Sequence, residues 1–208
     1  VHANFAFPSG SLADLIGREF GIPYVFHERS LQDVSCTRRH RFYARSYRVI
    51  ARRASGLVVN NQQAETRIRE LIGRQLPARR VTAGFDPLSV GEIAELPRSH
   101  VERIVLCAGA FKKRKGQELL LRAAAIVRDR LPDVRFHFIG SGVSLHECQR
   151  LADRLGLGDA VRFLGQKPHR EVLEAMADCT LFALPSWQEA FGSVYCEAMA
   201  FGKPVIAS

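Results

Sequence analysis

Through the second half of the chain, short runs of β-branched and aliphatic residues alternate with longer amphipathic stretches. The runs Ile104 to Ala108, Val134 to Ile139, Val161 to Leu164, Leu181 to Leu184 and Pro204 to Ala207 read as strands. Between them the apolar positions take up helical spacing. From Gly116 to Leu131, residues Leu119, Leu120, Ala123, Ala124 and Val127 share one face, Pro132 stops the helix, and Arg122 and Arg128 are left to solvent. A last helix starts near Gly192-Ser193 and runs to Phe201, with Gly202 as a left-handed cap and Pro204 beyond it. Such alternation predicts an α/β fold, an open parallel sheet with right-handed crossovers, whose ligands bind beyond the carboxyl ends of the strands.

The first half repeats the pattern less regularly. It predicts a helix over Ser11 to Phe20, a strand over Tyr24 to His27, a long helix over Arg38 to Ala54, a strand over Leu57 to Asn60, a helix over Gln63 to Ile72 and a turn at Gly84. Asp86 to Val101, with Pro87, Gly91, Pro97 and Ser99, reads as a linker. The expected organisation is therefore a partial unit at 1–85, a linker at 86–101 and a second unit at 102–208. The chain begins at Val1 without an initiator Met and ends at Ser208 directly after an apolar run, so both ends read as cut from a longer protein, the second unit being truncated at its carboxyl end.

Charge adds a question about partners. The net charge is +9, with 14 Arg and no Lys against 9 acids before Pro97 and 16 basic residues against 12 acids after it. The excess is spread over both halves and calls for an anionic partner. Five cysteines (Cys36, Cys107, Cys148, Cys179, Cys196) are scattered and never form a C-x-x-C pair, which suggests neither a disulfide framework nor a zinc site and fits a reducing, cytoplasmic compartment. No apolar run reaches the roughly 20 residues that span a bilayer.

Three segments carry candidate chemistry. Gly109-Ala110-Phe111-Lys112-Lys113-Arg114-Lys115-Gly116 joins a strand's carboxyl end to a helix start, where free backbone N–H groups and the helix dipole favour phosphate and four successive cations reinforce them. A solvated basic turn is the competing reading. Gly140-Ser141-Gly142 follows the next strand and would let a ligand approach the backbone; an ordinary tight turn is its alternative.

The third runs from Pro185 to Ile206 and contains Glu189 in a loop and Glu197 in the following helix. Eight helical residues rise about 12 Å, more than the roughly 5 Å carboxylate spacing of a retaining glycosidase, so the pair is suited to grip two parts of one ligand. A carboxylate accepts charge-assisted hydrogen bonds from vicinal hydroxyls: Glu197 suits a ribose and Glu189 a hexose, with the N–H groups of Phe191, Gly192 and Ser193 between them where a diphosphate would pass. Two unrelated surface glutamates are the competing explanation.

Glu189-x7-Glu197 followed by Ala-Met-Ala-x-Gly-Lys-Pro-Val-Ile resembles the E-x7-E signature of the family-four retaining glycosyltransferases of the two-Rossmann-domain (GT-B) type. Lys115-Gly116 resembles their phosphate-binding Lys-Gly, Gly140-Ser141-Gly142 their Gly-x-Gly turn, and Val161 to Gly165 their "V-x-F-x-G" strand. More loosely, Gly21 to His27 is similar to the last acceptor-domain strand leading to a cleft His, and Gly84-Phe85-Asp86 to a "G-V-D" before the linker. Ala110 stands where the family often has Arg, with Arg114 or Lys113 as substitutes; Ala83 replaces the usual Asn, and Glu28 a common Gly.

The resemblance implies a Rossmann-like donor unit at 102–208 and part of an acceptor unit at 1–85. It implies transfer of a hexosyl group from a UDP- or GDP-sugar to an alcohol acceptor, a glycan or lipid-linked saccharide, with retention and without metal or other cofactor. Glu189, His27 and Lys115 would be catalytic, while Gly109, Arg114, Lys115, Gly140, Gly142, Phe191, Gly192, Ser193 and Glu197 would bind the donor. His27 would touch the transferred sugar, unless it merely ends a strand. A catalytically degenerate nucleotide-sugar-binding or regulatory module is the alternative function.

One feature lies outside this scheme. Arg38, Arg41, Arg45, Arg48 and Arg52 recur at three- and four-residue steps, opposite Tyr43, Tyr47, Ile50 and Ala54. The arginine stripe is either a solvated face or a contact with an anionic membrane surface, which would put the protein peripherally at the inner face of the cytoplasmic membrane. No aromatic platform or nucleic-acid-binding module accompanies the charge, so nucleic acid is not an expected partner.

Overall fold

The computed structural model describes residues 1–29, 37, 40–73, 76–82, 84, 86–95, 102–187, 189 and 192–208. Two compact units emerge: residues 1–83 with the short piece 189–191, and 84–188 with 192–208.

In the first unit the order is β1 (His2–Asn4), α1 (Ser11–Phe20), β2 (Val25–Glu28), α2 (Arg41–Arg53), β3 (Gly56–Val59), α3 (Gln62–Ile72) and β4 (Ala78–Arg80). The strands form one parallel sheet in the order β1-β2-β3-β4. Its core gathers Phe26, Tyr47, Ile50, Leu57, Val59, Ile68 and Ile72. The predicted strand at 24–27 is shifted by one residue, because Glu28 extends it with its carboxylate buried and accepting from the Tyr47 hydroxyl at 2.8 Å. Glu28 thus serves as an interior tie between β2 and α2. At the opposite end of β2, buried Asp14 receives Arg18 of its own helix and Arg53, each at 3.2 Å, and the second pair binds α1 to α2. Burial, and then the neighbouring Asp14, push the Tyr24 phenol well above its ordinary range.

The long helix expected from Arg38 starts at Arg41 with His40 as its cap; Arg38 lies outside the described residues. Tyr47, Ile50 and Ala51 face the core, Tyr43 is half-buried, and Arg41, Arg45, Arg48 and Arg52 are exposed. The stripe is not simply solvated, however. Arg48 Nε donates to the Leu71 carbonyl at 3.0 Å and Arg52 Nε to the Ile72 carbonyl at 2.5 Å, so two of its members satisfy carbonyls that the end of α3 leaves without helical partners.

The second unit contains α4 (Pro87–Ala94), β5 (Arg103–Ala108), α5 (Gln117–Arg130), β6 (Val134–Ile139), α6 (Leu145–Arg154), β7 (Val161–Phe163), α7 (His169–Asp178), β8 (Leu181–Leu184), α8 (Ser193–Ala200) and β9 (Val205–Ala207). All five strands are parallel, in the order β7-β6-β5-β8-β9. The order reverses between β5 and β8, which opens a crevice at their carboxyl ends. Part of the segment read as a linker is helical: Pro87 is tolerated in the first turn, where its missing N–H costs nothing, and Val90 and Ile93 are buried. The inward face of α5 also differs from expectation. Leu119 is 55% exposed, and Gln117, Leu120, Leu121 and Ala124 are buried in its place, because the helix begins only at Gln117 after a separate turn.

Among the described residues, Cys107, Cys148, Cys179 and Cys196 are free thiols, and burial pushes the first three up to about 12, about 11 and about 11. They are core residues with little thiolate character. No described helix is long and apolar enough to cross a membrane.

Candidate functional site

The donor-side candidates of the second unit converge on the carboxyl ends of β5, β6 and β8. The loop after β5 is held by backbone bonds on one side: Gly109 N–H donates to Ile139 O at 2.9 Å, Phe111 N–H to Ser141 O at 2.8 Å, and Ser144 N–H returns to Phe111 O at 3.2 Å. Phe111 plugs the loop into the core, its ring centroid 6.1 Å from that of Phe163 and 6.4 Å from that of Phe138. Buried Gln117 holds the Ala110 carbonyl at 3.1 Å.

Beyond this anchor, Lys113–Lys115 form a single 3₁₀ turn, and left-handed Gly116 caps α5. The cations therefore sit on a turn ahead of the helix. Lys112 and Lys113 are exposed, Arg114 and Lys115 half-buried. The loop after β8 is tied to this turn, since the Ser186 hydroxyl and the Trp187 N–H both donate to Arg114 O at 3.1 Å.

The Gly-x-Gly turn also has a packing role that the sequence did not indicate. A Cβ on Gly140 would lie 2.1 Å from the Gly109 carbonyl oxygen, so the missing side chain admits the neighbouring backbone of the cationic loop. Gly142 likewise lies against the backbone of Phe111. These glycines set the position of the loop. A cleft of about 230 Å³ opens here, with Gly109, Ala110, Gly140, Ser141, Gln166 and Lys167 in its wall and Val194 of α8 closing it. Ser141 Oγ donates to Gln166 Oε1 at 2.7 Å, linking the turns that follow β6 and β7.

Gly192 is the left-handed N-cap of α8 and Ser193 its first residue, as expected; Phe191 lies outside the described residues. Glu197 is buried in α8, and its Oε1 lies 3.3 Å from Nε2 of His169 at the start of α7. The sequence reading missed His169, because the two residues stand 28 positions apart and no local motif joins them. Tyr195 was missed too; its hydroxyl donates to Leu184 O at 2.7 Å and fastens α8 to β8.

His27 and Glu189 group with the first unit. Glu189 is half-buried. His27 is the penultimate residue of β2, its ring stacked on His2 with centroids 5.4 Å apart, and its Nε2 lies 3.1 Å from Asn60 Oδ1. Asn60 Nδ2 donates to the Arg29 carbonyl at 3.3 Å, which orients the amide so that its oxygen faces His27. Nε2 then carries the proton and Nδ1 is the acceptor. Among the described residues, that buried Nδ1 has no hydrogen-bond partner. Desolvation lowers the imidazole pKa, partly offset by Asn60, which favours the neutral ring. Asn60 and His2 are further residues that the sequence did not reveal; the parallel pairing of β1, β2 and β3 brings them to His27.

Comparison with known proteins agrees with this layout. The family model described as "Glycosyl transferases group 1" matches residues 92–208, and one described as "Glycosyl transferase 4-like domain" matches residues 1–83. The chain belongs to the group 1 glycosyltransferases. Its fold is of the GT-B type, with a parallel sheet in each unit.

Within this family, D-inositol 3-phosphate glycosyltransferase of Corynebacterium urealyticum is 35% identical over 113 residues, covering 51% of this chain and 27% of that enzyme. A GDP-mannose-dependent alpha-(1-6)-phosphatidylinositol monomannoside mannosyltransferase of Mycolicibacterium smegmatis is 36% identical over 111 residues, covering 50% and 29%. Sucrose-phosphate synthase of Thermosynechococcus elongatus matches in structure with a TM-score of 0.80 at 27% identity, over 99% of this chain and 55% of its own. Anabaena HepE, solved with UDP and glucose, gives 0.81 at 25% identity, over 99% and 58%. The chain thus spans under a third of the two curated relatives and somewhat over half of the two solved structures.

Proposed function

We propose that the protein transfers a hexosyl group from a UDP- or GDP-sugar to an alcohol acceptor, a glycan or a lipid-linked saccharide, with retention at the anomeric carbon and without a metal. The observation that carries this reading is the convergence, within the second unit, of the cationic turn Lys112 to Lys115, the N-terminus of α8 and the buried Glu197 at one edge of a parallel sheet. Fixed positive groups at that edge would stabilise charge developing on a leaving diphosphate, the work a metal does elsewhere. Lys115, Arg114 and the N–H groups of Gly192 and Ser193 would hold the diphosphate. Glu197 would hold the ribose, and Glu189 and His27 the transferred sugar, His27 through its buried Nδ1 acceptor. Support comes from a relative whose name specifies GDP-mannose as donor and from a structural neighbour solved with UDP and glucose.

The deciding experiment incubates the full-length protein with radiolabelled UDP- and GDP-hexoses and a panel of glycan and lipid-linked acceptors, with and without chelator. Transfer with retained configuration in the presence of chelator is expected. Tight nucleotide-sugar binding without transfer or hydrolysis would favour the degenerate binding module.

The exposed face of α2 supports a place at the inner face of the cytoplasmic membrane. It presents Arg41, Arg45, Arg48 and Arg52 together with Phe42, 84% exposed, and Val49, and the helix contains no acid. Cations flanking exposed apolar side chains suit an anionic lipid interface, where each basic residue contributes about 1 kcal/mol. Because Arg48 and Arg52 also satisfy α3, the clean test reverses only Arg41→Glu and Arg45→Glu. Binding to vesicles containing phosphatidylglycerol should drop by at least about 10-fold with nucleotide affinity unchanged; unaltered vesicle binding would return the stripe to a solvated face.

A further inference from the structure

Glu197 is 7% exposed, and a carboxylate so removed from water must be held by donors if it is to stay ionised and in one rotamer. Among the described residues, His169 is its hydrogen-bond partner, with 3.3 Å between Nε2 and Oε1. The imidazole belongs to a different element from the carboxylate: it opens α7, directly after Pro168 and the turn that carries Gln166 and Lys167 into the wall of the cleft. Its side chain is 62% exposed, so little apolar packing explains its place.

An ionised carboxylate only accepts hydrogen bonds. Nε2 of His169 is therefore the donor in this contact. With Oε1 engaged by His169, rotation about the terminal bond of Glu197 is restrained, and Oε2 is left in a defined direction to accept from a ligand.

We propose that His169 is a positioning residue for Glu197, holding the carboxylate in the orientation that receives the ribose hydroxyls of the nucleotide. The inference rests on the assignment of Glu197 to the ribose made above. It makes the turn after β7 part of nucleotide recognition, because a movement of Lys167-Pro168-His169 carries the restraint on Glu197 with it. A preorganised acceptor loses less rotamer freedom on binding, so the contribution of His169 appears as affinity for the nucleotide and not as chemistry at the sugar.

Calorimetry on the full-length protein with UDP, GDP and their 2′-deoxy counterparts tests this, using His169→Ala, His169→Gln, Glu197→Ala and the His169→Ala/Glu197→Ala double variant. His169→Ala should weaken the better-bound ribonucleotide by roughly 3- to 10-fold, the range of one ordinary hydrogen bond, and its 2′-deoxy counterpart distinctly less. His169→Gln, whose amide nitrogen reaches nearly the position of Nε2, should restore most of the loss. In the Glu197→Ala background, removing His169 should change nothing further. In steady state the donor KM should rise with kcat little altered. Equal losses for ribo- and deoxyribonucleotide, or no rescue by Gln, would reduce His169 to a general structural role and overturn the proposal. If Glu197→Ala itself leaves nucleotide affinity intact, the ribose assignment fails; if Glu197→Ala weakens the nucleotide and His169→Ala does not, only the positioning role fails.

Discussion

Glu197→Ala is expected to weaken free UDP or GDP as much as the corresponding nucleotide-sugar, whereas Glu189→Ala should spare the free nucleotide and damage sugar binding or turnover. Removing one charge-assisted contact costs about 1.5–3 kcal/mol, or roughly 10- to 150-fold in affinity. The reason for the division is structural as well as chemical. Glu197 is buried in α8 on the same unit as the cationic turn, while Glu189 lies in the preceding loop and groups with the unit that contains His27. A carboxylate in the unit that carries the cationic turn suits the nucleotide, and Glu189, in the loop before α8, suits the group to be moved. Isothermal titration of both variants with both ligands reads the difference. Equal loss of free nucleotide and nucleotide-sugar in Glu189→Ala, or no loss of either in Glu197→Ala, would refute the division of roles.

Gly116→Ala should be the most destabilising single methyl added to the second unit. Its backbone has φ of +72°, a conformation that costs an L-residue about 1–2 kcal/mol, and the new Cβ would stand 2.0 Å from the Pro185 carbonyl oxygen. That oxygen is backbone and cannot swing away. To make room, the turn Lys113–Lys115 or the loop after β8 must shift, which breaks the bonds from Ser186 and Trp187 to Arg114 O. We expect a loss of about 4 kcal/mol or more in unfolding free energy, the range reserved for strain combined with overpacking, and loss of nucleotide binding even where the protein remains folded. Gly156→Ala is the control: φ there is +62° with no atom within 4 Å of the new Cβ, so only the conformational cost, about 1 kcal/mol, should appear in denaturant titration. Equal effects of the two substitutions would show that backbone conformation, and not the approach of Pro185, makes Gly116 necessary.

The same glycine shows how sequence and structure divide the explanation. Lys115-Gly116 resembles a phosphate-binding step in the sequence, which suggests a ligand as the reason for the missing side chain. The structure supplies a protein neighbour as a further reason, and the same holds for Gly140 against Gly109. In both cases the glycine serves the site indirectly, by letting two loops from different strands approach closely enough to share it.

Local periodicity by itself determined most of the framework. The strands Val134–Ile139 and Leu181–Leu184 and the helix Ser11–Phe20 have the bounds their patterns predict: both strands bury an apolar run, and each of the three elements ends at the Gly or Pro that follows it, although Leu12, Leu15 and Phe20 of the helix stay exposed. The faces of α2 were legible for the same reason, as were the residues of the cationic turn and of α8, which are contiguous in the chain. Elements without such a signature were not. β1 and β4 are three residues each, His-Ala-Asn and Ala-Arg-Arg, and exist as strands only because β2 and β3 offer them partners. Residues 87–94 look like a linker until Val90 and Ile93 are buried by the fold. Only the tertiary structure brought Asn60 and His2 to His27, His169 to Glu197 and Pro185 to Gly116. Those contacts join separate elements through parallel pairing and crossover connections, and a hydrogen bond or a close approach made across a sheet edge leaves no periodic trace in the order of the residues that make it.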